Sequence, residues 1–123
     1  MRLSGKELVA ILKAGHAMVN ADGKVEEKEL TILFGELINF GVSQEQAVSM
    51  LASADAMEAD EMFAVLTQLS TEAKKYVAGY FAAIMISDGD IDDSEVKMWQ
   101  IICTLAKFPT MNIHEAITFW QNN

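Results

Sequence analysis

The chain contains the stretch Asp22-Gly23-Lys24-Val25-Glu26-Glu27-Lys28-Glu29, and it repeats the pattern 66 positions later as Asp88-Gly89-Asp90-Ile91-Asp92-Asp93-Ser94-Glu95. Both copies share an Asp-Gly pair, an aliphatic residue two positions after the glycine, two acids and a final glutamate. Each copy lies between a long apolar segment and an amphipathic one, which predicts a helix on either side of a turn. After a three-residue insertion, Glu45-Gln46-Ala47-Val48 aligns with His114-Glu115-Ala116-Ile117. The sequence therefore predicts a duplicated helix-turn-helix unit, with copies at approximately 8–51 and 74–120 that are related by a two-fold rotation.

Helix-start signals recur along the chain as a capping residue followed three positions later by Glu or Gln, for example at Ser4, Ser43 and Asn112. Apolar residues at helical spacing follow these signals, and no segment alternates like a strand. The fold class predicted is all-α, with about seven helices. They are expected over about 4–20, 26–40, 58–69 and 71–87, with a short helix that begins at 43 and two more that begin at 92 and 112. In the short helix we expect Ala47, Val48 and Leu51 to face inward.

The composition restricts the function classes. A length of 123 residues, 51% of them hydrophobic, suffices for one core, so we expect a single domain over 1–123. The formal charge of -9 repels phosphate backbones and anionic lipids and argues against nucleic-acid binding. The longest apolar run, 76–86, is too short to span a bilayer, and no apolar leader follows Met1, so no direct membrane insertion and a cytoplasmic location are expected. The one cysteine, Cys103, excludes an internal disulfide and is expected in the core.

The acidic turns are the candidate site. Asp22 and Asp88 fall where the preceding helix is predicted to end, and there the helix dipole disfavours negative charge. A cation would relieve this conflict, but each Asp can instead form a solvated Asx-turn with its glycine. The spacing departs from an EF-hand, because Met18 stands at the first ligand position of the first turn and Ile84 at that of the second. What remains is a weak, partly hydrated site for Ca²⁺, Mg²⁺ or Mn²⁺, with zinc disfavoured by the lack of paired Cys and His.

The two turns resemble those of the TerB-like family, named from bacterial tellurite-resistance proteins, which have the form Ala-Asp-Gly-x-(Ile or Val)-x-x-x-Glu. The segment 21–29 matches this form, and the segment 87–95 matches it with Ser87 in place of alanine. The resemblance implies an all-helical module without catalytic activity, which is associated with stress-response or membrane-linked assemblies. It also implies that the acidic turns bind a divalent metal. Carried over by position, the implied ligands are Asp22, Glu26, Glu29, Asp88, Asp92 and Glu95.

Two other functions stay open. The turns can serve only to end and cap helices in a structural interaction domain, or the carboxylates can gather two ions for metal-assisted hydrolysis, for which no nucleophile or base is evident. No basic residue occurs between Lys28 and Lys74, so this acidic region is either a solvated face or a docking face for a basic protein partner. We further expect Val25 and Ile91 to pack into the core and to leave the carboxylates of the turns facing outward.

Overall fold

A computed structural model of the chain describes residues 2–21, 23, 27–87, 89 and 91–123, including the side chains of these residues except those of Glu27 and Leu30. Within this part of the chain there are seven helices and no strand, which confirms the predicted all-α class. The helices are α1 (Gly5–Val19), α2 (Glu27–Asn39), α3 (Gln44–Ala56), α4 (Ala59–Thr67), α5 (Thr71–Met85), α6 (Asp93–Leu105) and α7 (Ile113–Gln121). None of these helices has the length and hydropathy to cross a lipid bilayer.

Local capping explains where several helices begin. Ser4, Ser43 and Asn112 each accept a hydrogen bond from the backbone N–H three residues later, and the side chain at that later position bonds back to the capping residue. In this reciprocal arrangement two of the N–H groups that a helix start leaves without helical partners are satisfied at once. The capping boxes predicted from the sequence at these three positions are therefore confirmed.

Helices α1 and α5 form the centre of the molecule. Helix α1 contacts α2, α3, α4, α5 and α6, while α5 contacts α1, α2, α6 and α7. Almost every side of α5 is apolar, and its residues from Val77 to Met85 are all buried. A helix that is hydrophobic all round is one enclosed by other helices. Leu12 of α1 and Phe81 of α5 are among the largest fully buried side chains.

The backbone repeats at a spacing of 66 residues. The bounds of α5 and α6 are those of α1 and α2 shifted by this number. The ends of α2 and α6 also match, since Val42 N–H donates to Leu37 O at 3.1 Å and Phe108 N–H donates to Cys103 O at 2.8 Å. The two segments thus share helix lengths and helix ends. The two-fold rotation between them stays a prediction.

Some predicted inward positions are wrong. Helix α3 is 13 residues long rather than short, and Val48 is 68% exposed. Its Ala47 and Leu51 do pack at the margin of the core. Ile38, which the apolar spacing from Leu33, Phe34 and Leu37 predicts on the inner face of α2, is also 68% exposed. Helical spacing places a residue near the apolar face, but the neighbouring helices decide how wide the covered part of that face is.

Candidate cation-binding turns

The two turns that carry the acidic motifs have the same backbone hydrogen bonds. After α1, Ala21 N–H donates to Met18 O at 3.1 Å, and Gly23 N–H donates to Asn20 O at 3.0 Å. After α5, the residues 66 positions later make the same two bonds at 3.2 and 3.1 Å. Gly23 and Gly89 have φ angles of 78° and 88°, a region in which glycine has no steric penalty. Both glycines therefore serve the same conformational purpose.

Three of the six candidate ligands belong to the described part of the chain. They are Glu29 in the first turn of α2, Asp92 just before α6, and Glu95 in the first turn of α6. The other three, Asp22, Glu26 and Asp88, lie outside the described residues, as does Val25.

The final glutamates of the two motifs are buried. Glu29 is 1% exposed and Glu95 is 3% exposed, although the sequence predicted outward carboxylates. Both have interaction partners. Ile91, predicted to be buried, is instead 51% exposed. In the second turn the expected arrangement is thus reversed, with the carboxylate of Glu95 inside and the aliphatic side chain outside.

Asp92 has a clear structural role. One oxygen, Oδ1, accepts a hydrogen bond from Ser94 N–H at 2.8 Å and a second from Glu95 N–H at 3.3 Å. Asp92 is thus the N-cap of α6, where the positive end of the helix dipole also favours its negative charge. A cation at this turn would share Asp92 with the helix start.

His16 lies one helical turn before the end of α1. Its Nε2 is 3.2 Å from Asn20 Nδ2, and the same amide nitrogen donates to the carbonyl of His16 at 3.0 Å. The imidazole therefore helps to hold Asn20, the C-cap residue of α1. Over the described ranges, no three His, Cys, Asp or Glu side chains are grouped closely enough to hold a metal ion.

A third buried acid is Glu36 of α2. It belongs to the acidic region between Lys28 and Lys74, for which the sequence predicted a solvated face or a docking face. It is 6% exposed, accepts a hydrogen bond from the Tyr76 hydroxyl, and lies 3.4 Å from Asn39 Nδ2. Burial raises the pKa of Glu36, while hydrogen bonds from Asn39 and Trp120 oppose the shift. The helical spacing of Glu36 indicates that it is buried, because it lies on the same face of α2 as the buried residues Leu33 and Glu29.

A cleft of about 830 Å³ lies between α6 and the segment that leads into α7. Neither described portion of the acidic turns lines it. A smaller one, of about 270 Å³, includes Lys13, His16 and Asp55 and is otherwise lined by apolar side chains. The hydrolysis hypothesis requires a deep cleft with both turns on its rim, and neither of these two clefts is lined by the described residues of the turns.

Comparison with known proteins gives a structural relative. No protein-family model matches the chain, and no curated protein matches it. A crystal structure of a protein of unknown function from Porphyromonas gingivalis is similar, with 43% sequence identity and a TM-score of 0.86. The match covers 99% of this chain and 92% of that one. Almost the whole fold described above is therefore common to both proteins.

Proposed function

The chain belongs to the same family as the Porphyromonas gingivalis protein of unknown function, and since that membership names no activity, we propose a function from the residues of the chain itself. The protein is a non-catalytic, TerB-like helical module. Its two acidic turns each bind Ca²⁺, Mg²⁺ or Mn²⁺ weakly, and its acidic surface engages a protein partner in a stress-response or membrane-linked assembly. The TerB-like part of this proposal is supported by the two sequence motifs alone.

The matched positions of Glu29 and Glu95 carry the cation proposal. An ionised carboxylate is costly to bury unless positive charge or hydrogen-bond donors compensate it. Both glutamates lie in the first turn of a helix, where N–H groups and the dipole favour a negative charge. Both also occupy the last position of their motif, which in an EF-hand loop holds the bidentate glutamate ligand. A cation in each turn would have a matched carboxylate ligand at two equivalent places.

The structural alternative has its own supporting observation. Asp92 uses Oδ1 for two backbone hydrogen bonds and needs no cation to explain its place. If every carboxylate of the turns acts in this way, the protein is an interaction domain without metal. The two functions differ in whether a divalent cation has an effect beyond that of ionic strength.

The test is thermal unfolding with millimolar Ca²⁺, Mg²⁺ or Mn²⁺, compared with NaCl at equal ionic strength, because any salt screens a charge of -9. A cation present at about a hundred times the dissociation constant of its site adds about 2.7 kcal/mol to the free energy of unfolding. For a domain of this size, that corresponds to a rise in Tm of the order of 10 °C. A weak site gives a smaller rise, which chelator reverses. Asp22→Asn and Asp88→Asn should reduce it, whereas Asp60→Asn, in an exposed position on α4, should not.

Substoichiometric Mn²⁺ gives a second, site-resolved readout. The paramagnetic ion should broaden the backbone amide signals of Gly23 and Gly89 before others. If divalent ions raise Tm no more than NaCl does, or if the two Asn variants respond like the parent, the interaction domain without metal replaces this proposal.

A further inference from the structure

The first half of the molecule (α1 to α3) and the second half (α5 to α7) differ in how their third helices pack. Helix α3 begins five residues after α2 ends and contacts both α1 and α2, whereas α7 begins eight residues after α6 ends and packs mainly on α5. The additional residues are Pro109, Thr110 and Met111. They carry the chain away from α6 before α7 starts. The longer connection therefore leaves space beside α6.

Gly79 allows α7 to move onto α5. A Cβ atom at this position would lie closer to Ala116 O and to Trp120 Cβ than real Cβ atoms ever come. The residue 66 positions earlier is Lys13, whose Nζ donates to Ala54 O at 3.0 Å, so in the first half a long side chain contacts α3 from the equivalent position. The backbones of α5 and α7 approach closely because the second half has glycine here. This approach displaces α7 away from α6.

The space between α6 and α7 is the cleft of about 830 Å³. Its apolar surface includes Trp99, Phe108, Met111 and Ile113, and Trp99 is fixed by a 3.0 Å hydrogen bond from its indole N–H to Ala78 O. The volume lies within the range of about 300–1,000 Å³ that is usual for small-molecule sites. A rigid aromatic side chain in such a wall provides a surface on which an apolar ring can pack.

The residues around the cleft differ from their counterparts in the first half: Trp99 and Phe108 are aromatic where that half has Leu33 and Val42, and other positions are smaller or polar. Four large apolar residues of the first half are replaced 66 positions later by smaller or polar ones: Leu12 by Ala78, Phe34 by Gln100, Leu37 by Cys103 and Ile38 by Thr104. All four replacements line the cleft. They remove volume and add an amide, a thiol and a hydroxyl. The second half thus has both the space and the hydrogen-bonding groups of a ligand site.

The cleft is uncharged on a strongly acidic protein. Among the described residues that line it, none is Asp, Glu, Lys or Arg, although the chain has 18 acidic and 9 basic residues. Its titratable groups are the Cys103 thiol and the imidazole of His114. An ionic ligand would lose its hydration here without gaining an opposite charge. A neutral molecule has no such loss.

We propose that the α6–α7 cleft is a binding site for an uncharged small molecule that combines an apolar ring with a hydroxyl or amide group. The ring packs against Trp99, Phe108 and Met111, and the polar group bonds to Gln100 or Thr104. This site is separate from the acidic turns, and it does not depend on whether they bind a cation.

The experiment compares three probes of nearly the same shape, which are benzyl alcohol, benzoate and benzylamine in its protonated form. Two-dimensional ¹H–¹⁵N spectra of the whole chain report binding, with the indole N–H of Trp99 as the reporter inside the cleft. Benzyl alcohol should shift this signal, together with the amides of Thr104, Met111 and Ile113. Its affinity should exceed that of either ion by about tenfold or more. Equal affinity for the three probes, shifts located elsewhere, or no shift at all would overturn the proposal.

Matched variants use the first half of the chain as a template. Thr104→Ile and Gln100→Phe restore the larger residues found there, and both positions are exposed, so the fold should be retained. Each variant should weaken benzyl alcohol binding, and the double variant should weaken it by about tenfold or more. Ile38→Thr makes the reverse exchange at the equivalent exposed position and should bind as the parent does. Parental binding by the folded double variant would exclude the cleft as the site.

Discussion

Tyr76 of α5 donates its hydroxyl hydrogen bond to the carboxylate of Glu36 of α2, beside the edge-to-face contact of its ring with Phe40. A buried acid thus connects the second helix of one half to the first helix of the other. Burial also raises the pKa of Tyr80, with the charge of Glu36 as a second cause. The protonation state of Glu36 therefore matters for stability.

Glu36→Gln should change the pH dependence of unfolding. The pKa of Glu36 is above its ordinary value of 4.5 in the folded protein, so the folded state binds this proton more tightly than the unfolded state does. Its contribution to stability is full below pH 4.5 and is lost as the pH rises through the folded pKa. A glutamine cannot ionise, so the stability of Glu36→Gln relative to the parent should increase over that range. Urea unfolding at several pH values measures this difference.

The control for Glu36 is Glu45→Gln, a change of an exposed acid on α3. It removes one carboxylate from the surface, whereas Glu36→Gln removes a buried one. If the difference in the free energy of unfolding between Glu36→Gln and the parent is constant across the acidic pH range, then Glu36 does not titrate in the way that its burial implies.

Gly79→Ala should strongly destabilise the protein. The added methyl group collides with backbone and Cβ atoms of α7, which cannot move aside as a flexible side chain can. We expect a loss of about 3 kcal/mol. Gly35→Ala is the matched control, because nothing lies within 4 Å of a Cβ at that helical position. It should stabilise the protein by about 0.5–1 kcal/mol. Denaturant unfolding of both variants tests the pair, and similar effects of the two would contradict the close approach of α5 and α7.

Lys107→Gly should stabilise the end of α6. Lys107 has a φ angle of 59°, and the equivalent residue after α2 is Gly41, with a φ angle of 84°. Only glycine adopts this region without a steric penalty, which is about 1–2 kcal/mol for other residues. Part of this gain is offset because glycine also increases the conformational entropy of the unfolded chain. We therefore expect the free energy of unfolding to increase by up to about 1 kcal/mol. The reverse exchange, Gly41→Lys, should lower Tm, and equal Tm values for both variants would count against the expectation.

Cys103 should react slowly with thiol reagents. Burial raises the pKa of its thiol to about 12, from an ordinary value of 9.0. Because the thiolate is the reactive form, alkylation by iodoacetamide at pH 8 should be slower by about a thousandfold than in the urea-unfolded chain. Mass spectrometry of the alkylated fraction over time measures the rate. A rate close to that of the unfolded chain would show that the thiol is accessible and readily ionised.

The parts of the fold that were predicted correctly depend on short-range interactions. A capping box such as Ser43 with Gln46 involves residues three positions apart, so the sequence itself displays it. The nearly uniform apolar character of α5 likewise predicts a helix enclosed by others, and the structure confirms it. These features need no knowledge of which helices meet.

What the sequence did not predict depends on contacts between distant segments. The burial of Glu36 requires Tyr76, 40 residues away, and the exposure of Ile38 and Val48 reflects how much of each helix its neighbours cover. For the candidate site, the sequence predicted the shared turn geometry at Gly23 and Gly89, but not that the glutamates ending the motifs are buried. The charge of a carboxylate suggests exposure, and only the packed helices show otherwise.

The crossed packing, in which α2 contacts α5 and α6 contacts α1, has a consequence during synthesis. A nascent chain that has left the ribosome only as far as residue 70 contains α1 to α4 but lacks both helices that cover the remaining apolar side of α1. Closing contacts between segments so far apart must wait for the rest of the chain. The first half therefore emerges with the part of its apolar surface that faces α5 and α6 exposed, and folding is completed only after the second half has followed it out.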